Sequence, residues 1–89
     1  MTTDTHTLRL PATLRQAQAM AWLQGLTLPV RGQLAVLDAS GLQSFDSAAL
    51  ACLIELKRRA LAGGWQIRVE GLPDRARRLA QVYGLAELI

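Results

Sequence analysis

The segment Leu37-Asp38-Ala39-Ser40-Gly41-Leu42-Gln43-Ser44-Phe45-Asp46-Ser47-Ala48-Ala49-Leu50 decides the fold of this chain. It begins at the end of an apolar run, crosses a polar loop and enters a helix with an apolar face. This order predicts a helix N-terminus at the carboxyl end of a strand, where open α/β sheets place their working surfaces. The residues there are one Asp, one Ser and small alanines, which suggest a surface for docking or switching.

Strands and helices alternate on both sides of this segment. Periodicity predicts strands at 7–10, 33–38 and 65–70, and helices at 14–24, 47–62 and 74–83. We expect Thr13 to cap the first helix and 40–45 to be a loop. The order β-α-β-α-β-α predicts an α/β fold, a small mixed β-sheet with helices packed on it. At 89 residues the chain is expected to be a single domain, 1–89.

The apolar residues of these elements predict a core. The continuous apolar run of the central strand, 34–37, suggests that both of its faces are covered. The expected inward residues of the first helix are Leu14, Ala17, Ala21 and Leu23. In the last helix Arg75, Arg77 and Arg78 fall on the solvent side, opposite Leu72, Ala76, Leu79, Ala80 and Tyr83.

The long helix, 47–62, divides into two faces at 100° per residue. The predicted core face contains Ala49, Leu50, Leu53, Ile54, Leu56, Ala60 and Leu61. The predicted outer face contains Ala48, Ala51, Cys52, Glu55, Arg58, Arg59 and Ala62. Small side chains near the start of the outer face would let another protein approach the backbone closely. The alternative is that alanine is there only because it is the best helix former.

The residues at the helix start do not predict catalysis. Asp46 is placed to cap the helix, a structural role that explains it by itself. Ser47 would point its hydroxyl outward, but the single histidine, His6, lies in the N-terminal segment and nothing ties it to Ser47 as a base. Cys52 is the only cysteine, which excludes an intrachain disulfide and a Cys-rich metal site. We therefore expect no enzyme activity, no metal and no cofactor.

The net charge of +3 and the isoelectric point near 10.0 raise the question of nucleic-acid binding. The basic residues are scattered, and no cationic run is interleaved with aromatic residues that could stack on bases. We expect no nucleic-acid partner. The arginines of the last helix form a solvated face or, alternatively, contact an acidic partner or anionic lipid. No apolar run is long enough to span a bilayer, and the polar first residues predict no signal peptide, so a cytoplasmic location is expected.

The motif Ser44-Phe45-Asp46-Ser47-Ala48-Ala49-Leu50, between strand and helix, resembles the STAS domain family. This family includes anti-sigma-factor antagonists and the cytoplasmic domains of sulfate transporters. The resemblance continues through 63–71 and 80–85; it covers 33–89 well and 7–32 loosely. It implies that the strand at 7–10 is the family's second strand, with the first missing or reduced to 1–6.

Two branches of this family are similar to the chain. In the antagonists the motif is typically Asp-Ser-Ser-Gly and the second Ser is phosphorylated; Ala48 stands at that position and Ala49 replaces the Gly. In the MlaB-type STAS subunit of bacterial lipid-transport ABC systems the motif resembles Asp-Thr-Gly-Gly-Leu. Ser47 keeps the hydroxyl after the Asp, and Tyr83-Gly84-Leu85 resembles the Tyr-Asn-Leu of that branch.

The resemblance to the MlaB type implies a non-catalytic subunit that binds and regulates the ATP-binding subunit of a lipid ABC transporter. It would meet the inner membrane only indirectly, through that partner on the cytoplasmic face. The expected partner-binding residues are Asp46, Ser47, Ala48, Ala51, Cys52 and Glu55. The alternatives are an antagonist that binds an anti-sigma kinase without phosphorylation at Ala48, and a self-associating scaffold.

Overall fold

The computed structural model describes residues 5–85. Their elements are β1 Thr5–Arg9, β2 Thr13–Leu14, α1 Gln16–Gln24, β3 Leu34–Asp38, β4 Ser44–Phe45, α2 Ser47–Gly63, β5 Gln66–Glu70 and α3 Asp74–Val82. The predicted α/β fold, with helices packed on a small sheet, is confirmed. None of the three helices is long and apolar enough to cross a bilayer.

The main sheet has the strand order β1-β3-β5. Both of its pairings are parallel, as is every strand pairing within 5–85, because helices connect the consecutive strands. Among these residues the sheet is therefore parallel, and not mixed as predicted. The short strands β2 and β4 form a second sheet in which Thr13 pairs with Ser44 and Leu14 with Phe45. The sequence predicts a loop over this β4 segment, because two residues are too few to show a period.

The core lies on one face of the main sheet. Leu37 is fully buried and stands between Leu8 of β1 and Val69 of β5. Leu34 and Val36, on the opposite face of β3, are only half-buried, so the prediction that both faces of this strand are covered is wrong for the residues described. The strands follow one another across the sheet in chain order, so right-handed crossovers place α1 and α2 on the same face. The two helices pack against each other there.

The first helix starts later than predicted. Thr13 and Leu14 belong to β2, and α1 begins at Gln16 with Arg15 as its N-cap. Leu14 is buried as predicted, but Ala17 and Ala21 are exposed. The side chains of α1 that pack against the core are Ala19, Trp22 and Leu23. The helix is therefore rotated relative to the predicted face, because pairing with β4 holds its first predicted turn in an extended conformation.

The long helix α2 is confirmed, and Gly64 ends it in the left-handed conformation with φ 72°. Its buried face differs from the prediction at three positions. Ile54 is 40% exposed and Leu61 is 83% exposed, although both were assigned to the core, whereas Cys52 was assigned outward and is only 1% exposed. The buried arc is shifted because α1 packs along the Cys52 side of α2.

The last helix follows the predicted pattern over most of its length. Its three arginines are exposed and Leu72, Ala76 and Ala80 are buried. The prediction that Tyr83 lies on the inner side is wrong, since it is the C-cap of α3 and is 56% exposed. Leu85 packs against the core. The expectations for 1–4 and 86–89 lie outside the described residues.

Candidate docking site

The start of α2 is held by Asp46. This residue has extended backbone angles, and its Oδ1 accepts a hydrogen bond from the backbone N–H of Ala48 at 2.8 Å. Its other oxygen, Oδ2, accepts from the backbone N–H of Gln16 at 3.3 Å. The predicted N-cap role is confirmed. The second bond joins the start of α1 to the start of α2, a role that the sequence analysis missed.

Two arginines hold β4, the short strand directly before Asp46. The Nη1 of Arg15 donates to Ser44 Oγ at 3.2 Å and to the carbonyl oxygen of Phe45 at 3.3 Å. From the other side, the guanidinium carbon of Arg75 lies 4.8 Å from the centre of the Phe45 ring, a cation–π distance. These contacts join β4 to the start of α1 and to α3, so the backbone that leads into Asp46 is held by the domain itself.

Ser47 is the first residue of α2 and is exposed, as predicted. Its side chain makes no hydrogen bond within residues 5–85. The histidine that a serine nucleophile would need lies in β1, where His6 Nε2 donates to the carbonyl oxygen of Thr27 at 2.7 Å. The prediction that His6 lies in the N-terminal segment ahead of the first strand is therefore wrong, because β1 begins at Thr5. The Ser47 hydroxyl is exposed at the tip of α2, and no side chain among residues 5–85 forms a hydrogen bond to it through which it could act as a base.

A shallow groove runs from this tip along the junction of α1 and α2. It consists of two depressions of about 360 and 420 Å³ that share Ala48 and Ala51. The first is lined also by Gln16, Asp46 and Ser47, and the second also by Ala19, Met20, Leu23, Cys52, Glu55 and Arg59. We call this surface the α1–α2 groove. All six residues predicted to bind a partner line it.

Cys52 lines the floor of the groove and is not a surface contact. It is 1% exposed, and its Sγ lies 4.0 Å from the carbonyl oxygen of Ala19 on α1. Burial raises the pKa of the Cys52 thiol, which keeps it protonated and unreactive. The prediction that Cys52 lies on the outer face is wrong, because α1 covers it. The Cys52 side chain lies between α1 and α2, the two helices that form the groove.

Helix α1 contributes one wall of the groove, which the sequence analysis did not anticipate. Met20 is the most exposed large side chain of that wall, at 66%. A Met on an Ala-rich helix is the feature of the sequence that could have indicated this wall. The sequence does not show, however, that α1 and α2 are neighbours. Met is flexible and polarizable, which suits it to an interaction surface.

The far end of the groove carries compensated charge. Glu55 accepts hydrogen bonds from Arg58, with Nε to Oε1 at 2.9 Å and Nη2 to Oε2 at 2.7 Å. It accepts another from Arg59 Nε at 2.7 Å. The bonds from Arg58 and then Arg59 lower the pKa of Glu55 to about 2. Glu55 is thus ionised, and the two arginines of its own helix more than neutralise its charge.

The groove and the rest of residues 5–85 contain no group of three or more His, Cys, Asp or Glu side chains arranged to hold a metal ion. Comparison with known proteins gives the family. A family model described as "Mlab, STAS domain" matches residues 1–89. The chain belongs to the STAS domain family. STAS domains are protein-interaction modules and are generally non-catalytic.

A solved structure supports the fold of this STAS domain. A sulfate transporter family protein from Wolinella succinogenes superposes with a TM-score of 0.72 at 14% sequence identity, over 98% of this chain and 74% of that one. At this identity the similarity shows the fold alone. A comparison with curated proteins finds no match.

Proposed function

We propose that this STAS domain is a non-catalytic subunit that docks through the α1–α2 groove onto the ATP-binding subunit of an Mla-like lipid ABC transporter and regulates it. One observation carries the proposal. The exposed hydroxyl of Ser47 lies at the start of α2, next to a groove lined by the small side chains of Ala48 and Ala51. The domain would then work at the cytoplasmic face of the inner membrane, held there by its partner.

The groove is suited to a protein partner because of its size and rigidity. Ala48 and Ala51 let an element of the partner come close to the α2 backbone. The hydrogen bonds of Asp46 and Arg15 already hold β4 and the start of α2, so little conformational entropy is lost when the partner binds. Met20 and Leu23 supply apolar contact along α1.

The family description supports the choice of partner, since the matching family model carries the Mlab name. The motif supports it as well. Ala48 has no hydroxyl at the position where antagonists of anti-sigma factors are phosphorylated, whereas Ser47 keeps the hydroxyl of the MlaB type. Regulation then follows from binding itself: a subunit that binds one arrangement of the ATPase more tightly shifts the population towards it.

The test is binding to the purified ATP-binding subunit, measured by calorimetry. Ala51→Arg places a long charged side chain in the middle of the groove and is expected to weaken binding by about 30-fold or more, the effect of losing a hot spot. The matched control is Ala62→Arg, which changes an exposed alanine of the same helix outside the groove. Equal binding by Ala51→Arg and the wild type would exclude the groove as the docking site.

A second experiment separates the proposal from the antagonist alternative. The domain is incubated with an anti-sigma kinase and ATP, and its mass is measured. We expect no added phosphate and no stable complex with the kinase. A gain of one phosphate that is lost in Ser47→Ala would favour the antagonist function instead.

A further inference from the structure

The strand β5 lies at one end of the main sheet, and no strand among residues 5–85 pairs with its outer edge. Its ladder to β3 is bracketed by two bonds: Gln66 N–H donates to the carbonyl oxygen of Gln33 at 2.9 Å, and Ala39 N–H donates to the carbonyl oxygen of Glu70 at 2.8 Å. In a parallel ladder alternate residues of a strand bond to the same neighbour. Gln66, Arg68 and Glu70 therefore direct their backbone groups to β3.

The two residues between them, Ile67 and Val69, direct their N–H and C=O groups away from β3. Neither has a backbone hydrogen-bond partner among residues 5–85. Such a row of free groups is a template for another strand. The edge lies apart from the α1–α2 groove, and no residue belongs to both.

The exposed face of β5 carries opposite charges two positions apart. Arg68 Nε lies 2.9 Å from Glu70 Oε2, and the two side chains are 59% and 53% exposed. When β5 meets a second copy of itself running in the opposite direction, the arginine of each strand can therefore face the glutamate of the other.

Antiparallel pairing of two β5 strands gives the free backbone groups hydrogen-bond partners and sets opposite charges next to each other. If Val69 lies on the twofold axis, its N–H and C=O bond to the same groups of the second copy. Arg68 then stands opposite Glu70 of the second copy, and the reverse pair forms on the other side of the axis. Cross-strand pairs of opposite charge are stabilising. The rival register, centred on Arg68, sets two guanidinium groups opposite each other.

An apolar hollow next to this edge gives a second copy further surface to bury. It has a volume of about 490 Å³, and its lining includes Leu34, Lys57, Leu61, Trp65 and Ile67. Leu61 on its rim is 83% exposed. Two paired strands are marginal by themselves, so a stable contact needs such additional apolar burial.

We propose that this domain self-associates through antiparallel pairing of β5 with β5 of a second copy, with Val69 on the axis. The two three-stranded sheets then form one continuous sheet of six strands. The twofold axis that relates the two antiparallel β5 strands is perpendicular to the sheet. The helices α1 and α2 of both copies therefore lie on the same face of the six-stranded sheet. Both α1–α2 grooves stay accessible, and the proposal stands independently of the partner named above.

The test uses sedimentation of the full chain over a range of concentrations, where the wild type is expected to form a dimer. Arg68→Glu and Glu70→Arg each set like charges opposite each other and are expected to weaken the dimer by about 10-fold or more, since two contacts change. An equimolar mixture of the two variants brings unlike charges together at both positions and is expected to restore dimers. Both variants lack the internal Arg68–Glu70 pair, so recovery must be intermolecular.

Two further variants keep the test independent of folding. Val69→Pro removes an edge N–H that does not bond to β3, and it is expected to be monomeric with an unchanged circular dichroism spectrum. Arg78→Glu makes the same charge change on α3 and is expected to dimerise as the wild type does. A wild type that is monomeric throughout, a dimeric Val69→Pro, or a mixture that stays monomeric would overturn the proposal. Full dimerisation of Glu70→Arg by itself would overturn the Val69 register.

Discussion

Asp46 and Gln16 connect the two helices of the groove: Asp46 Oδ2 accepts a hydrogen bond from the backbone N–H of Gln16 at 3.3 Å. The other oxygen of the same carboxylate caps α2 through Ala48. One side chain therefore satisfies donors at the N-termini of both helices, where each helix also presents positive dipole charge. The shape of the α1–α2 groove therefore depends on Asp46, whether or not Asp46 itself contacts a partner.

Replacing Asp46 is expected to cost stability. Asp46→Ala removes both acceptors and should lower the free energy of unfolding, measured in urea, by about 1–2 kcal/mol. Asp46→Asn keeps one acceptor oxygen, so its free energy of unfolding should lie between those of Asp46→Ala and the wild type. Asp74→Ala is the control, since Asp74 lies in the first turn of α3 and accepts no hydrogen bond within 5–85. An Asp46→Ala variant as stable as the wild type would contradict the double cap.

Glu55 is expected to make stability depend on pH in the acid range. Its pKa in the folded protein is about 2, below the usual 4.5, because Arg58 and Arg59 hydrogen-bond to the carboxylate. The unfolded chain therefore takes up the proton first as the pH falls. The stabilisation is fully present above about pH 4.5 and is lost progressively as the pH falls towards 2.

The measurement is the difference in unfolding free energy between the wild type and Glu55→Gln across this range. The difference should be largest above pH 5 and shrink at lower pH. Arg78→Gln, which removes a charge that forms no ion pair within 5–85, should give a difference that hardly changes over the same range, because arginine does not titrate there. A difference for Glu55→Gln that is constant down to pH 2 would show that the pKa is not lowered.

Cys52 is expected to resist thiol reagents while the protein is folded. Burial raises the pKa of its thiol, and α1 covers the sulfur. The rate of labelling at pH 8 should therefore be slow in buffer and rise with urea in parallel with unfolding. Labelling of the native protein as fast as that of the unfolded chain would mean that α1 does not cover Cys52.

Two glycines with the same backbone angle provide a matched pair. Gly71 and Gly84 both have φ 71°. A Cβ at Gly71 would lie 2.9 Å from Ser40 Cβ and 3.2 Å from Ser40 N, whereas at Gly84 it would meet nothing described within 4 Å. Gly84→Ala should cost about 1–2 kcal/mol, the cost of a left-handed residue with a side chain. Gly71→Ala should cost clearly more, because backbone atoms of Ser40 and not only its side chain would have to shift; equal losses in thermal unfolding would refute this.

The elements with a strong period were predictable from the sequence alone. The strand at 34–38 and the helix from Ser47 to the Gly63-Gly64 pair are local patterns, and the Asp46 cap needs only residues two positions away. The exposed hydroxyl of Ser47 follows from the same cap. The family resemblance could also be read from the sequence, because its motif is continuous in the chain.

Tertiary structure decided everything that depends on which elements meet. Packing of α1 on one side of α2 buried Cys52 and left Leu61 exposed, although a helical wheel gives no reason to prefer either flank. Pairing of β2 with β4 moved the start of α1, and the strand order left one edge of β5 without a neighbouring strand among residues 5–85. The physical reason is that periodicity reports how a side chain faces within its own element. The neighbour that covers that face comes from a distant part of the chain.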